Sequence, residues 1–239
     1  GPKGLAMMAE GKSAEATLAA LLAADEGRER RQVGLVDREG LAAAFTGEEC
    51  HEWAGHIVGE GFTCQGNILL PGTVEAMAER FEAERGGKGE LADWLVAALA
   101  AGQTAGGDKR GRQSAAVVVV REGGGYGGNN DRYLDLRVDD DPEPIIKLKN
   151  LVTMHHLYFG APKAEDLIPL NEVTAELQAI LRGAGYEIAE TTGKFDAATR
   201  AALQSLVGME NLEERWDGTG DLIDRHVVAY LREKFKPGS

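Results

Sequence analysis

Two neighbouring segments with different hydrophobic patterns constrain this chain most. Residues 115–120 read Ala-Ala-Val-Val-Val-Val, an unbroken apolar run that stops at Arg121-Glu122. Residues 133–140 alternate instead, with Leu134, Leu136 and Val138 on one face and Tyr133, Asp135, Arg137 and Asp139 on the other. Successive side chains of a strand point to opposite faces. The alternating segment therefore predicts one wet face, and the unbroken run predicts an interior strand covered on both. Hairpin order along the chain favours antiparallel pairing over a doubly wound parallel sheet. An antiparallel sheet covered on both sides implies layers, sheet against sheet with helices outside.

The other elements fit that plan. Ser13 is a good N-cap for a helix running to about residue 24. Residues 32–37 and 41–46 flank Arg38-Glu39-Gly40, a hairpin signal, and residues 62–69 supply a third strand. Val74, Met77, Ala78 and Phe81 have helical spacing, as do Leu91, Trp94, Leu95 and Ala98. A further helix follows Asp141, with Pro142 suited to its first turn, and runs towards Phe159. After Gly160 the stretch Ala161-Pro162-Lys163-Ala164-Glu165-Asp166 reads as a linker, beyond which strand signals disappear. Two domains are expected, at residues 1–162 and 168–236.

Composition excludes several classes. The chain has 26 Lys and Arg against 39 Asp and Glu, a net charge of −13, so nucleic acid is not an expected partner. Two cysteines exclude a disulfide framework and an all-cysteine zinc site. No apolar stretch approaches the roughly 18 residues of a membrane span, so no membrane partner is expected. Two free cysteines and no visible signal segment favour the cytoplasm, with export as the alternative. Gly1-Pro2-Lys3-Gly4-Leu5 reads like the interior of a longer sequence.

Several motifs carry less than they first suggest. Gly123, Gly125 and Gly128 satisfy a dinucleotide fingerprint, but a strand follows where that site needs a helix N-terminus. A glycine-rich hairpin loop fits better, and Tyr126 within it joins the ligand-binding candidates. Cys50-His51-Glu52-Trp53-Ala54-Gly55-His56 spaces its histidines five apart, about 140° around a helix at the usual 100° per residue, so no zinc site is expected. His155, His156 and His226 read as structural. The loop Asp108-Lys109-Arg110-Gly111-Arg112-Gln113 concentrates three cations in four residues of an acidic chain, a pattern suited to a carboxylate or phosphate. Its rival reading is ion pairing with Asp139, Asp140 and Asp141 or another acidic surface. Gln65 and Asn67 offer amides able to polarise a carbonyl or donate to an oxyanion.

Many segments in order carry a resemblance. Arg31-Gln32-Val33-Gly34, Ala44-Phe45-Thr46-Gly47, Trp53-Ala54-Gly55-His56, Gly59-Glu60-Gly61-Phe62, Gln65-Gly66-Asn67-Ile68, the segment 105–114, Gly124-Gly125-Tyr126-Gly127, Asn130-Asp131-Arg132-Tyr133 and Leu136-Arg137-Val138-Asp139 resemble the bacterial domain-of-unknown-function family 1028, placed in the N-terminal-nucleophile (Ntn) hydrolase superfamily. The resemblance implies a four-layer α-β-β-α sandwich, preceded in family members by further strands that are absent here. It also implies a Thr, Ser or Cys nucleophile with its own α-amine as base, whereas Gly1 carries no such side chain. Residues 170–235, with Thr192-Gly193-Lys194-Phe195-Asp196-Ala197-Ala198-Thr199 at their centre, resemble a small three-helix peptidoglycan-binding domain.

The fold expected is therefore α+β, an Ntn-hydrolase-like sandwich followed by an all-α unit. Two functions follow. One is amide hydrolysis on a small amide or peptide bearing an anionic group, held by Asp108, Lys109, Arg110, Arg112, Gln113 and Tyr126, with Gln65 and Asn67 at the carbonyl. The other is a non-catalytic protein that binds peptides or cell-wall fragments. No metal or other cofactor is expected. An unpaired sheet edge predicts a homodimer.

Overall fold

The computed structural model describes residues 1–188 and 191–236. Its first element is α1 (Pro2–Ala9), with Pro2 at the first helical position, where a missing N–H goes unmissed. The sequence reading placed no element there. α2 (Ala14–Ala23) is capped by Ser13, whose hydroxyl accepts from Ala16 N at 3.2 Å.

β1 (Gln32–Val36) and β2 (Ala42–Thr46) form the expected antiparallel hairpin, with Gln32 opposite Thr46. Asp37 holds its turn, accepting from Glu39 N and Leu41 N at 3.0 Å each. Its second oxygen takes Ala14 N at 2.9 Å, which fixes the start of α2 to the hairpin. β3 (Gly55–Gly59) and β4 (Phe62–Gly66) form a second hairpin. The sequence reading missed β3, whose terminal glycines obscure a five-residue strand. The two hairpins pack so closely that Gly34 has no room for a side chain. A Cβ there would stand 2.2 Å from Thr63 Oγ1 and 2.5 Å from Gln65 Oε1.

α2 packs against β1 and β2, and α3 (Thr73–Glu84) packs against β3 and β4. α4 (Leu91–Ala105) lies on α3 and reaches β5 (Ala115–Val120). Phe62, Cys64, Val74, Ala78, Phe81 and Ala98 form the core between strands and helices, the two phenyl rings 4.8 Å apart. Burial removes their apolar surface from water and drives this packing.

β5 pairs antiparallel with β6 (Arg132–Val138), Val117 opposite Leu136 and Val119 opposite Leu134. The glycine-rich segment between them is a hairpin loop. One expectation is corrected here: β5 is covered on a single face. Val117 and Val119 are buried, but Val118 is 54% and Val120 70% exposed. The reason is layering: α4 packs against β5, and the face that carries Val118 and Val120 stays exposed. An apolar cavity of about 250 Å³ is lined by residues of β4, α3, α4 and β5. All strands of the described residues sit in two-stranded antiparallel sheets, and the chain is mixed α and β.

The next helix, α5 (Pro144–Phe159), starts at Pro144 rather than around Pro142. The chain divides into two compact units, Gly1–Asn150 and Leu151–Ser239. The second unit packs α6 (Leu170–Gly183), α7 (Ala197–Met209) and α8 (Arg225–Lys234) around Leu177, Leu181, Leu203, Leu212, Val227 and Leu231. Asp196 caps α7, accepting from Thr199 N at 2.8 Å. Strands do not vanish from this part: β7 (Leu167–Pro169) pairs with β8 (Leu222–Asp224), Ile168 opposite Ile223. These ladders are too short to show in a hydrophobic pattern.

Candidate functional site

Three irregular segments of the first unit run together beside β4. Ile68 N donates to His51 O at 3.0 Å, Leu69 N to Trp53 O at 3.0 Å, Leu70 N to Gly107 O at 2.9 Å and Lys109 N to Ile68 O at 2.8 Å. Gly107 adopts φ +68°, open to glycine without strain. Next to this junction lies a polar cleft of about 410 Å³, lined by Arg30, Gln32, Glu49, Cys50, His51 and Asn67.

Gln32 organises the cleft. From the first position of β1 its Nε2 reaches Gly66 O at 2.8 Å, Thr46 Oγ1 at 3.0 Å and Gly55 O at 3.2 Å. Its Oε1 accepts from Asn67 Nδ2 at 2.8 Å. One side chain thus bridges β2, β3 and β4 and orients a second amide. Thr46 Oγ1 also lies 2.9 Å from His56 Nδ1. On the cleft wall Arg30 Nε donates to Glu49 Oε2 at 2.6 Å, and Cys50 Sγ lies 3.5 Å from Arg31 O.

The residues singled out in the sequence are only partly gathered here. Asn67 lines the cleft. Gln65 pairs with His56 across the second hairpin, and its side chain lies over Gly34. The basic loop meets the junction through Lys109, whose Nζ donates to Glu52 O at 3.0 Å. Its two arginines are engaged within the chain. Arg110 grips Asp108 through Nε at 2.9 Å and Nη2 at 2.6 Å, and this guanidinium holds the Asp108 carboxyl below its usual range. Arg112 Nη1 donates to Glu143 Oε1 at 2.5 Å. Ion pairing is therefore present, with Asp108 and Glu143 as the acidic partners. Gln113 contributes its carbonyl to Asp141 N at 2.8 Å. Tyr126, 84% exposed, sits in the 3-10 turn Tyr126–Gly128 at the far end of the β5–β6 hairpin, about 20 Å from Gln113 at ~3.3 Å per strand residue. It is not brought to the cleft.

The sequence reading missed Arg30, Gln32 and Glu49 as site residues, and weighed Cys50 and His51 only as metal ligands. One signal was present: a glutamine opening a strand otherwise built of apolar residues and glycine. Among the described residues no group of three or more His, Cys, Asp or Glu side chains is placed to hold a metal ion. No helix among them is long and apolar enough to cross a membrane.

Comparison with known families gives residues 1–148 as a match to the family of unknown function DUF1028, well over half of the chain. The chain belongs to the DUF1028 family. Residues 158–231 of this DUF1028 protein match a second family, described as "Putative peptidoglycan binding domain". The chain is similar to a solved member of its family, protein SPO2555 from Silicibacter pomeroyi, with 28% identity and a TM-score of 0.56. That match covers 65% of this chain and 66% of the other, just under two thirds of the relative's length. Comparison with curated proteins finds no match.

Proposed function

We propose that the first unit of this DUF1028 protein is the scaffold of an amide-bond hydrolase of the Ntn type, binding small amides or peptides that bear an anionic group, cell-wall fragments among them. Gly1 carries no nucleophilic side chain, so the reading covers how the amide is held and names no nucleophile. The observation that carries this reading is the amide-lined cleft, where Gln32 holds Asn67 towards a space of about 410 Å³. Such a space is of the size that takes small ligands, with a few polar groups fixing their orientation. Lys109, beside the cleft, is the group for an anionic end of the ligand, with Arg110 and Arg112 drawn from their carboxylate partners as it arrives. The match of residues 158–231 supports the cell wall as the source and is compatible with a periplasmic location. It also favours the second reading, a non-catalytic wall-binding protein. The four-layer sandwich and a homodimer formed along the open edge of β5 belong to this proposal as well.

Two measurements separate the readings. The protein is incubated with insoluble peptidoglycan and sedimented, and a soluble peptidoglycan digest is assayed for release of primary amines. Retention with amine release supports hydrolysis, and retention without release supports the binding protein. A chain that stays in the supernatant and releases nothing refutes both.

A further inference from the structure

The hydrogen-bond directions around Gln32 specify which chemical group the cleft takes. Gly66 O and Gly55 O are backbone carbonyls, able only to accept, and both face the Gln32 amide. The amide must therefore turn its nitrogen to them, because the flipped orientation would set oxygen against oxygen. That leaves Oε1, a pure acceptor, facing Asn67, which must present Nδ2 in turn. The contact is single rather than reciprocal, since the bonds of Gln32 Nε2 run to Gly66, Thr46 and Gly55. A single contact is the one made by the Nδ2 hydrogen anti to Oδ1, and giving that hydrogen to Gln32 leaves Asn67 with Oδ1 and the syn N–H, an acceptor and a donor on one amide edge.

From this we infer that the cleft is a primary-carboxamide site, in which Asn67 pairs edge to edge with the ligand's own amide through two hydrogen bonds. The inference rests on the proposed reading of the cleft as an amide site and names its substrate class. A trans peptide bond points its N–H and C=O in opposite directions and makes one of the two bonds. A dialkylated amide lacks the donor. A carboxylate lacks it too, and sets an anionic oxygen against Asn67 Oδ1. The fixed charges at the cleft wall do not reverse this preference, because Arg30 is already paired with Glu49. Gln32 acts as a positioning residue: its bonds to two strands decide which way Asn67 faces.

The test uses the whole chain labelled with nitrogen-15 and three probes: propionamide, N,N-dimethylpropionamide and propionate. Propionamide is expected to shift the side-chain NH2 signals of Asn67 and Gln32 saturably, while the other two leave them in place. Asn67→Asp and Asn67→Ala should each weaken propionamide binding about tenfold, followed through the Gln32 side chain and the backbone amides of Cys50 and His51. The two variants guard against a folding defect in either, which the backbone spectrum reports. Propionate shifting the same signals as strongly, or propionamide binding unchanged in both folded variants, would overturn the inference. Failure of the wall-binding and amine-release assays with propionamide still bound would refute the proposed function and leave the carboxamide site standing.

Discussion

Arg215 and Asp224 form the most consequential polar contact of the second unit. Asp224 is fully buried and Arg215 is 8% exposed, with Arg215 Nη1 2.5 Å from Asp224 Oδ2. The guanidinium also donates to Leu157 O at 2.9 Å and to His156 O. Replacing Arg215 with Met keeps the volume but leaves a buried carboxylate with one remaining partner, His226 N at 2.8 Å, and takes the donor from two carbonyls. Breaking one side of a buried pair costs about 3–5 kcal/mol. The unit Leu151–Ser239 spans 89 residues, so at ~2.1 cal/mol/K per residue its unfolding entropy is about 0.19 kcal/mol/K and the loss lowers Tm by roughly 15–25 °C. The double variant Arg215→Met with Asp224→Asn removes the stranded charge and keeps an acceptor for the α8 N-cap, so it should recover at least about 1 kcal/mol. Thermal melts with residue-resolved hydrogen exchange of α6, α7 and α8 separate this unit from the first. A single variant within about 1 kcal/mol of the parent, or a double variant worse than the single, would refute burial of this pair as the source of the loss.

Four further outcomes test the first unit. Gly34→Ala should destabilise it by about 1–3 kcal/mol, because the added Cβ meets Thr63 and Gln65 where the hairpins touch; denaturant melts with an unchanged midpoint would contradict that packing. Val117→Asp, at a buried position, should cost several kcal/mol by equilibrium unfolding. Val118→Asp on the exposed face should stay within about 0.5 kcal/mol, and equal losses at the two positions would restore the two-faced burial corrected above. Asp37 is held below its ordinary 3.8 by backbone N–H donors, Ala14 N foremost. Its contribution is thus complete above the unfolded value and fades as pH falls through the folded one, so Asp37→Asn should flatten the decline in stability below about pH 4. Tyr133 is pushed up to about 12 by burial and by its 2.6 Å hydrogen bond to Glu90. The stability it lends is present below pH ~10 and lost as pH rises through the folded value. Phenolate absorbance should show two late-ionising tyrosines, Tyr133 and Tyr230, and Glu90→Gln should bring one of them earlier.

What the sequence alone determined was local. The Ser13 and Asp196 caps, the Arg38-Glu39-Gly40 hairpin and the helical spacing of Val74, Met77, Ala78 and Phe81 each depend on residues a few positions apart, and all stand in the structure. The covered face of β6 was legible for the same reason, since alternation states which side is apolar. The second face of β5 was not, because an apolar run does not say whether anything lies against it. The candidate site was legible only in Asn67. Gln32 acquires its role from acceptors on Gly55 and Gly66, 23 and 34 positions away, and Arg112 finds its carboxylate 31 positions on. Neither the direction of an amide nor the partner of a guanidinium is a property of the residue itself. Both follow from which backbone carbonyls and carboxylates the packed hairpins and helices bring within about 3 Å, and only the tertiary structure decides that.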